Sequence, residues 1–132
     1  MVYAKQALNA YIQAKVETAK HPVEYVVMLY EGAIESLDKA LTSIKMRETQ
    51  TKVKYLNKAM AIIEGLLSSL NLEACGESEV ALNLEGLYIY IMKEITAANT
   101  DNDEKKIAQV INLLKELKDA WVEVKANYPK PE

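Results

Sequence analysis

The stretch PVEYVVMLYEGAIESLDKALTSI, residues 22–44, sets the fold of the chain. Its apolar residues recur every three or four positions, which is the spacing of one face of an α-helix and not the alternation of a β-strand. Pro22 suits the first position of a helix, where its missing N–H costs no hydrogen bond. The pattern therefore predicts a long amphipathic helix. Gly32 lies in its middle, although glycine inside a helix costs about 1 kcal/mol relative to alanine, so the position needs a reason.

Three further segments repeat this helical period. They cover residues 52–71, 79–98 and 102–127. Short connections lie between the segments, which makes successive helices antiparallel neighbours. The sequence therefore predicts an all-α protein, an antiparallel, up-down-up-down four-helix bundle preceded by a short additional helical segment at residues 1–20. The whole of residues 1–132 is interpreted as one domain.

Turn and cap residues mark where these helices begin. Gly76 is expected to form a turn and Ser78 to cap the third helix, while Asp101 followed by Glu104 is expected to form a capping box for the last one. Trp121 lies on the apolar face of that last helix. It should therefore be substantially buried.

Composition limits the classes of function. The net charge is −3, which does not suggest a nucleic-acid partner, and no apolar run approaches the roughly 18 residues that insertion across a membrane requires. The first residues lack the long apolar stretch of a secretory signal, which favours a cytoplasmic protein. Cys75 is the only cysteine, so no internal disulfide can form.

The sequence offers little for catalysis, metal binding or cofactor binding. Its single histidine, His21, has Thr18 rather than glutamate three residues before it, so the Glu-x-x-His pattern of a di-metal bundle is missing. His21 also precedes Pro22, which disfavours the mid-helix position of a phosphotransfer histidine. Cys75 has no histidine nearby to activate it. We therefore expect neither an enzyme nor a cofactor.

Charge is distributed unevenly along the chain. Residues 64–104 carry nine acids and one base, a net charge of −8, which leaves +5 for the remainder. Bases gather just before this region, at Lys45, Arg47, Lys52, Lys54 and Lys58. Each group is interpreted first as a solvated surface, and alternatively as an electrostatic face that orients a charged partner.

The helices carry more apolar surface than one stripe each. The first helix has a second line at Tyr25, Leu29, Gly32 and Ser36, and the next has one at Tyr55, Ala59, Ile62, Leu66 and Ser69. A widened core stripe explains such lines, but large residues beside small ones also form grooves, where glycine lets another backbone approach closely. The eight tyrosines suit a binding surface. Tyr30 and Tyr88 could equally be core residues with hydrogen-bonded hydroxyls.

Several short patterns, taken together in order and spacing, resemble the flagellin export chaperone family, FliS. They are NAY at 9–11, MLYEGAI at 28–34 after Pro22, the run from Ala59 to Leu70, VALNLEGLYIY at 80–90, AAN at 97–99 and AW at 120–121. His21 departs from the small hydroxyl residue usual before the proline, and the loop CGESE is slightly longer than usual. Both departures fall in predicted loops.

The resemblance implies a cytoplasmic export chaperone that is not an enzyme. Its partners would be the disordered C-terminal segment of flagellin, which it keeps from premature polymerisation, and a component of the flagellar export gate, to which it delivers that segment. The residues that match the family's motifs, and that the resemblance assigns to flagellin binding, are Ala10, Tyr11, Leu29, Tyr30, Gly32, Leu87 and Tyr88. The alternative is a small four-helix signalling or accessory domain that binds a small molecule or another helical partner.

Residues 1–12 carry apolar side chains on one helical face but are too few to form a stable helix alone in water. Something must cover that face, and an exposed groove of the bundle is the nearest candidate. We therefore expect this segment to lie over the groove as a plug when the client is absent.

Overall fold

The computed structural model describes residues 22–70 and 79–127. These contain four helices, α1 (Pro22–Lys45), α2 (Thr49–Ser69), α3 (Glu79–Asp101) and α4 (Glu104–Asn127), and no strand within those ranges. The helical bundle predicted from the apolar period is confirmed. Compared with the predicted bounds, α2 begins three residues earlier and α3 ends three residues later.

The four helices pack in a closed square. α1 lies against α2 and α4, α3 lies against the same two helices, and α1 and α3 occupy opposite corners. The most extensive packing is between α1 and α2. The Lys52 ammonium near the start of α2 contacts the Asn99 carbonyl near the end of α3, so these two helices run antiparallel.

The core runs along the centre of this square. Leu37, Ile63, Ile91 and Leu114, one from each helix, are completely buried. Each such aliphatic side chain stabilises the fold by roughly 1.5–3 kcal/mol relative to an exposed position. Trp121 is partly buried and packs against this core, in line with its place on the apolar face of α4.

The connections at one end of the bundle are shorter than expected because two residues adopt left-handed backbone conformations. Arg47 has φ of 59° and Asn102 has φ of 52°. After α1, the Glu48 N–H donates to the Ser43 carbonyl and the Arg47 N–H to the Ile44 carbonyl. This is the Schellman pattern that ends a helix sharply. Only residues 46–48 therefore separate α1 from α2, whereas the sequence suggested 45–51.

The same geometry corrects the expected capping box of α4. Asn102 ends α3 at Asp101, so Asp101 belongs to the preceding helix and cannot cap the next one. Asp103 is the cap instead, and its carboxylate accepts a hydrogen bond from the Lys106 N–H at 3.1 Å. An acidic cap at a helix N-terminus also opposes the positive end of the helix dipole.

Lys52 secures the other side of this turn. Its side chain is buried, and its ammonium donates to the Asn99 carbonyl at 3.0 Å and to the Asn102 amide oxygen at 2.7 Å. A cation there satisfies a carbonyl that the end of a helix leaves without an internal partner. One member of the basic cluster therefore has a structural role, while Lys45, Arg47, Lys54 and Lys58 are exposed.

Several expectations lie outside the described residues. These are the N-terminal segment 1–20 with its proposed plug, His21, and the loop containing Cys75, Gly76 and Ser78. Among the residues that are described, no helix is both long enough and apolar enough to cross a membrane.

Candidate functional site

The two second apolar lines meet where α1 packs against α2, a region we call the α1–α2 seam. Leu29, Gly32 and Ser36 of α1 are buried, and Tyr25 is half-buried. On α2, Ala59, Ile62 and Leu66 are buried and Tyr55 is half-buried. The widened-stripe interpretation therefore holds for the deep positions, because Leu29, Ala59, Ile62 and Leu66 belong to the main core. The tyrosines at the rim are the parts of these lines that reach solvent.

The hydroxyl of Ser36, which is buried in the seam, is hydrogen-bonded. Its hydroxyl donates to the Gly32 carbonyl one turn earlier at 2.9 Å. The buried serine therefore behaves as a small, internally satisfied residue. The described seam is therefore lined mainly by apolar side chains.

Tyr55 marks the end of the seam where basic residues collect. The ammonium groups of Lys39 and Lys54 lie 5.3 and 5.4 Å from its ring centroid, within the range of cation–π attraction. Glu35 pairs with Lys39 at 3.1 Å and raises the pKa of that exposed lysine, first through its hydrogen bond. The seam is thus apolar along its length and cationic beside Tyr55.

A second apolar groove lies on the opposite flank of α2. Tyr55 faces α1 through its contact with Lys39, so Met60 and Leu67 lie toward α3. Both are partly buried, and so is Met92 of α3. The antiparallel register set by Lys52 and Asn99 places Met60 and Met92 at a similar height.

Met60, Leu67 and Met92 are apolar residues at helical spacing, and that spacing alone does not say how far each is buried. That these side chains are partly exposed and that Met60 and Met92 lie at a similar height becomes clear only from the orientation of the helices in the bundle. Methionine is unbranched and adapts to irregular apolar partners. We call this region the α2–α3 groove.

Across the core, a tyrosine pair joins α1 and α3, which occupy opposite corners of the bundle. The hydroxyls of Tyr30 on α1 and Tyr88 on α3 are 2.5 Å apart, and both side chains are essentially fully buried. Their rings lie 6.3 Å apart at 50°. The Trp121 indole N–H donates to the Tyr30 hydroxyl at 3.3 Å, which brings α4 into the same network.

Burial governs the chemistry of this pair. Desolvation raises the pKa of both hydroxyls, and for Tyr88 the neighbouring Tyr30 adds to the effect. Both therefore stay neutral and keep their protons for hydrogen bonding. The sequence left open whether Tyr30 and Tyr88 belong to a binding surface or to the core. The structure shows that both are core residues with hydrogen-bonded hydroxyls.

The residues assigned to flagellin binding do not form one continuous exposed surface. Leu29, Tyr30 and Tyr88 are buried core residues, Gly32 is buried in the α1–α2 seam, and Leu87 is half-buried. Tyr30 and Tyr88 meet directly, while Leu87 lies on the side of α3 that faces α4, together with Glu94, which pairs with Lys106. Ala10 and Tyr11 lie outside the described residues.

The described helices thus form a bundle with apolar seams between neighbouring helices and a hydrogen-bonded tyrosine pair in its core. The chain matches the family model "Flagellar protein FliS" over residues 4–128. It is 36% identical to a flagellar secretion chaperone FliS of Campylobacter jejuni, with 92% of each chain covered. It is 34% identical to that of Vibrio cholerae, with 92% of this chain and 90% of the relative covered, and 33% identical to that of Salmonella typhimurium, with 93% of each covered. The chain therefore belongs to the FliS family, a family of flagellar secretion chaperones and not of enzymes.

Proposed function

We propose that this protein binds the disordered C-terminal segment of flagellin in the cytoplasm, prevents its premature polymerisation and delivers it to the flagellar type III export apparatus. The observation that carries the proposal is the pair of long apolar surfaces on either flank of α2, in a chain that belongs to a family of flagellar secretion chaperones.

The dimensions suit a segment that folds on binding. α1 and α2 contain 24 and 21 residues, so they extend over roughly 30–35 Å at 1.5 Å per residue. A disordered chain that becomes helical needs a long shallow surface rather than a deep pocket, because its apolar face repeats every three or four residues. The α1–α2 seam and the α2–α3 groove both provide such a surface.

The proposed site residues fall into two groups that differ in how deeply they are buried. Tyr25, Tyr55, Met60 and Leu67 are the half-buried residues that a client can touch without unfolding the bundle. Leu29, Tyr30 and Tyr88 lie beneath them, where they fix the spacing of the helices that form the surface. Gly32 stays in the proposal as a buried residue of the α1–α2 seam, and Leu87 as a half-buried residue on the side of α3 that faces α4. Ala10 and Tyr11 stay in it as residues of the N-terminal segment.

Titration of purified flagellin tests the client. Full-length flagellin is expected to bind. Flagellin lacking its C-terminal ~40–50 residues, a length that the resemblance to the family implies and that is consistent with wrapping helices of this size, is expected to lose most of the affinity. Isothermal titration calorimetry measures both. Equal binding by the truncated flagellin would exclude the C-terminal segment as the client.

A matched pair of variants locates the binding surface. Tyr55→Ser removes an apolar ring at the α1–α2 seam and is expected to weaken flagellin binding by roughly tenfold. Tyr90→Ser makes the same chemical change on the outward face of α3, where the ring is half-exposed, and is expected to leave the affinity unchanged. If the two variants lose affinity equally, the seam is not the preferred site.

A further inference from the structure

The basic residues of α1 and α2 all lie in the part of each helix nearer the turn that joins them. Residues 39–58 contain six bases and one acid. The parts further from the turn, residues 22–38 and 59–70, contain acids and no base. Because a short turn makes the two helices antiparallel neighbours, their charges add along the α1–α2 seam. The seam is therefore positive at its Tyr55 end and negative at its Tyr25 end.

Lys39 and Lys54 approach Tyr55 from the two sides of the seam. Lys39 belongs to α1 and Lys54 to α2, and their ammonium groups lie 5.3 and 5.4 Å from the centroid of the Tyr55 ring. Both lysines are exposed. Lys39 is paired with Glu35, whereas Lys54 forms no ion pair with a residue in the described ranges. Two cations around one ring repel each other, so a carboxylate close to both would be attracted by each of them.

A helix bound in the seam would meet these lysines with its flanks. Its apolar face would lie against the rim tyrosines, so the residues beside that face would point toward α1 on one side and α2 on the other. Where such a helix passes Tyr55, the flanking residues come close to Lys39 and Lys54. Basic residues there would be repelled and acidic residues attracted. The Tyr25 end offers the reverse, since the first turn of α1 carries Glu24 and no base.

We infer that Lys39 and Lys54 are specificity-determining residues of the α1–α2 seam, and that they select a client segment whose acidic side chains lie beside Tyr55. The inference rests on the proposed function, because it concerns the segment that the seam binds. It adds that the seam has a direction, with the acidic part of the client at the Tyr55 end. Contacts of this kind between exposed charges weaken as salt is added.

Calorimetric titration with the C-terminal segment of flagellin, at low and at high salt, tests this role. Lys54→Gln is expected to weaken binding by about twofold to fivefold at low salt, the range of exposed ion pairs, and to have no effect at high salt. Lys39→Gln should act in the same direction. Lys115→Gln is the matched control, because Lys115 is also exposed but lies on α4, the other neighbour of α1. No loss in Lys54→Gln, or an equal loss in Lys115→Gln, overturns the inference.

Single changes of each Asp to Asn and each Glu to Gln in the segment identify the acidic side chain. At least one change is expected to weaken binding to the unaltered protein by about twofold to fivefold. The same change should have no further effect on binding to Lys54→Gln or to Lys39→Gln, because both members of the pair remove one contact. If no acidic residue of the segment shows this coupling to either lysine, the inference is overturned whatever the affinity of the segment.

The proposed function and this inference fail in different ways. A segment that does not bind the unaltered protein overturns both. A segment that binds the unaltered protein, Lys39→Gln and Lys54→Gln equally well leaves the proposed function in place and overturns only the selection by charge. Thermal unfolding followed by circular dichroism checks that the variants fold, and changes at these exposed positions are expected to leave the melting temperature unaltered.

Discussion

Gly32 and Gly86 are both glycines in the middle of long helices, yet the structure places them in opposite surroundings. Gly32 is buried in the α1–α2 seam, and its carbonyl accepts the hydroxyl of Ser36. Gly86 is exposed, and apart from its chain neighbours and the nearby backbone of its own helix no atom lies within 4 Å of the position of a Cβ. One glycine serves packing within the bundle, and the other leaves a flat spot on its outside.

The same contrast divides α3 itself. Tyr88 points to the centre of the bundle, and its hydroxyl is hydrogen-bonded to that of Tyr30. Tyr90, two residues later, is half-exposed. Their separation of two residues is about 200° of helical rotation. The pair shows that residue type alone does not distinguish a core tyrosine from a surface one, because the rotation of the helix in the bundle decides it.

The largest expected effect comes from removing the buried Tyr88 side chain on the inner face of α3. Tyr88→Ala removes a completely buried ring and leaves the Tyr30 hydroxyl without one of its two partners. The loss of stability should be about 3–5 kcal/mol, as for other buried aromatic-to-alanine changes. Urea unfolding followed by circular dichroism measures it. Tyr90→Ala is the control, and a loss as large as that of Tyr88→Ala would contradict the assignment of inner and outer faces.

Sequence periodicity was sufficient for the helices because every helix buries a continuous stripe. It was insufficient for the connections. Arg47 takes the left-handed conformation that is usually given to glycine, so the sequence offered no sign that the first turn would be so short. Asn102 is a more usual residue for that conformation, and it could have indicated that α3 continues to Asp101.

The candidate site was harder to predict for a related physical reason. A second apolar line beside a core stripe has the same period whether it faces a neighbouring helix or solvent. Leu29 and Ile62 turned out to be core residues, whereas the equally apolar Leu82 and Ile89 lie outside. Only the orientation of each helix about its axis separates the two cases, and no local pattern encodes that orientation.

The next largest expected effect concerns Gly32, which is buried in the α1–α2 seam. Gly32→Leu forces a large side chain into a buried position, and overpacking of this kind costs about 1–3 kcal/mol. The apparent loss of flagellin binding should then be no larger than the loss of folded protein explains. A variant with unaltered stability and strongly reduced binding would instead show that Gly32 lines an open groove for the client.

Alkaline pH should test the burial of the Tyr88 hydroxyl on the inner face of α3. Burial raises the pKa of the Tyr88 hydroxyl, so above the ordinary tyrosine value of about 10 the unfolded chain loses a proton that the folded chain keeps. The contribution to stability is therefore complete below that pH and falls as pH rises above it, by at most about 1.4 kcal/mol per pH unit. Urea unfolding between pH 9 and 11, values that bracket a free tyrosine at about 10, measures the slope. Tyr88→Phe should reduce the slope and leave the part that the buried Tyr30 contributes, and an unchanged slope in that variant would count against this origin.

The smallest expected effect has the opposite sign and concerns Gly86 on the outward face of α3. Gly86→Ala replaces an exposed mid-helix glycine, and the new methyl group meets no neighbour in the bundle. Alanine loses less conformational entropy on entering a helix, so the protein should become more stable by about 0.5–1 kcal/mol. The measurement is urea unfolding followed by circular dichroism. Ser68→Ala, at an exposed position of α2, is the control for the helix propensity of alanine itself and should gain less than Gly86→Ala. A loss of stability on replacing Gly86 would mean that the glycine is required by the bundle, and the difference between the two glycines would disappear.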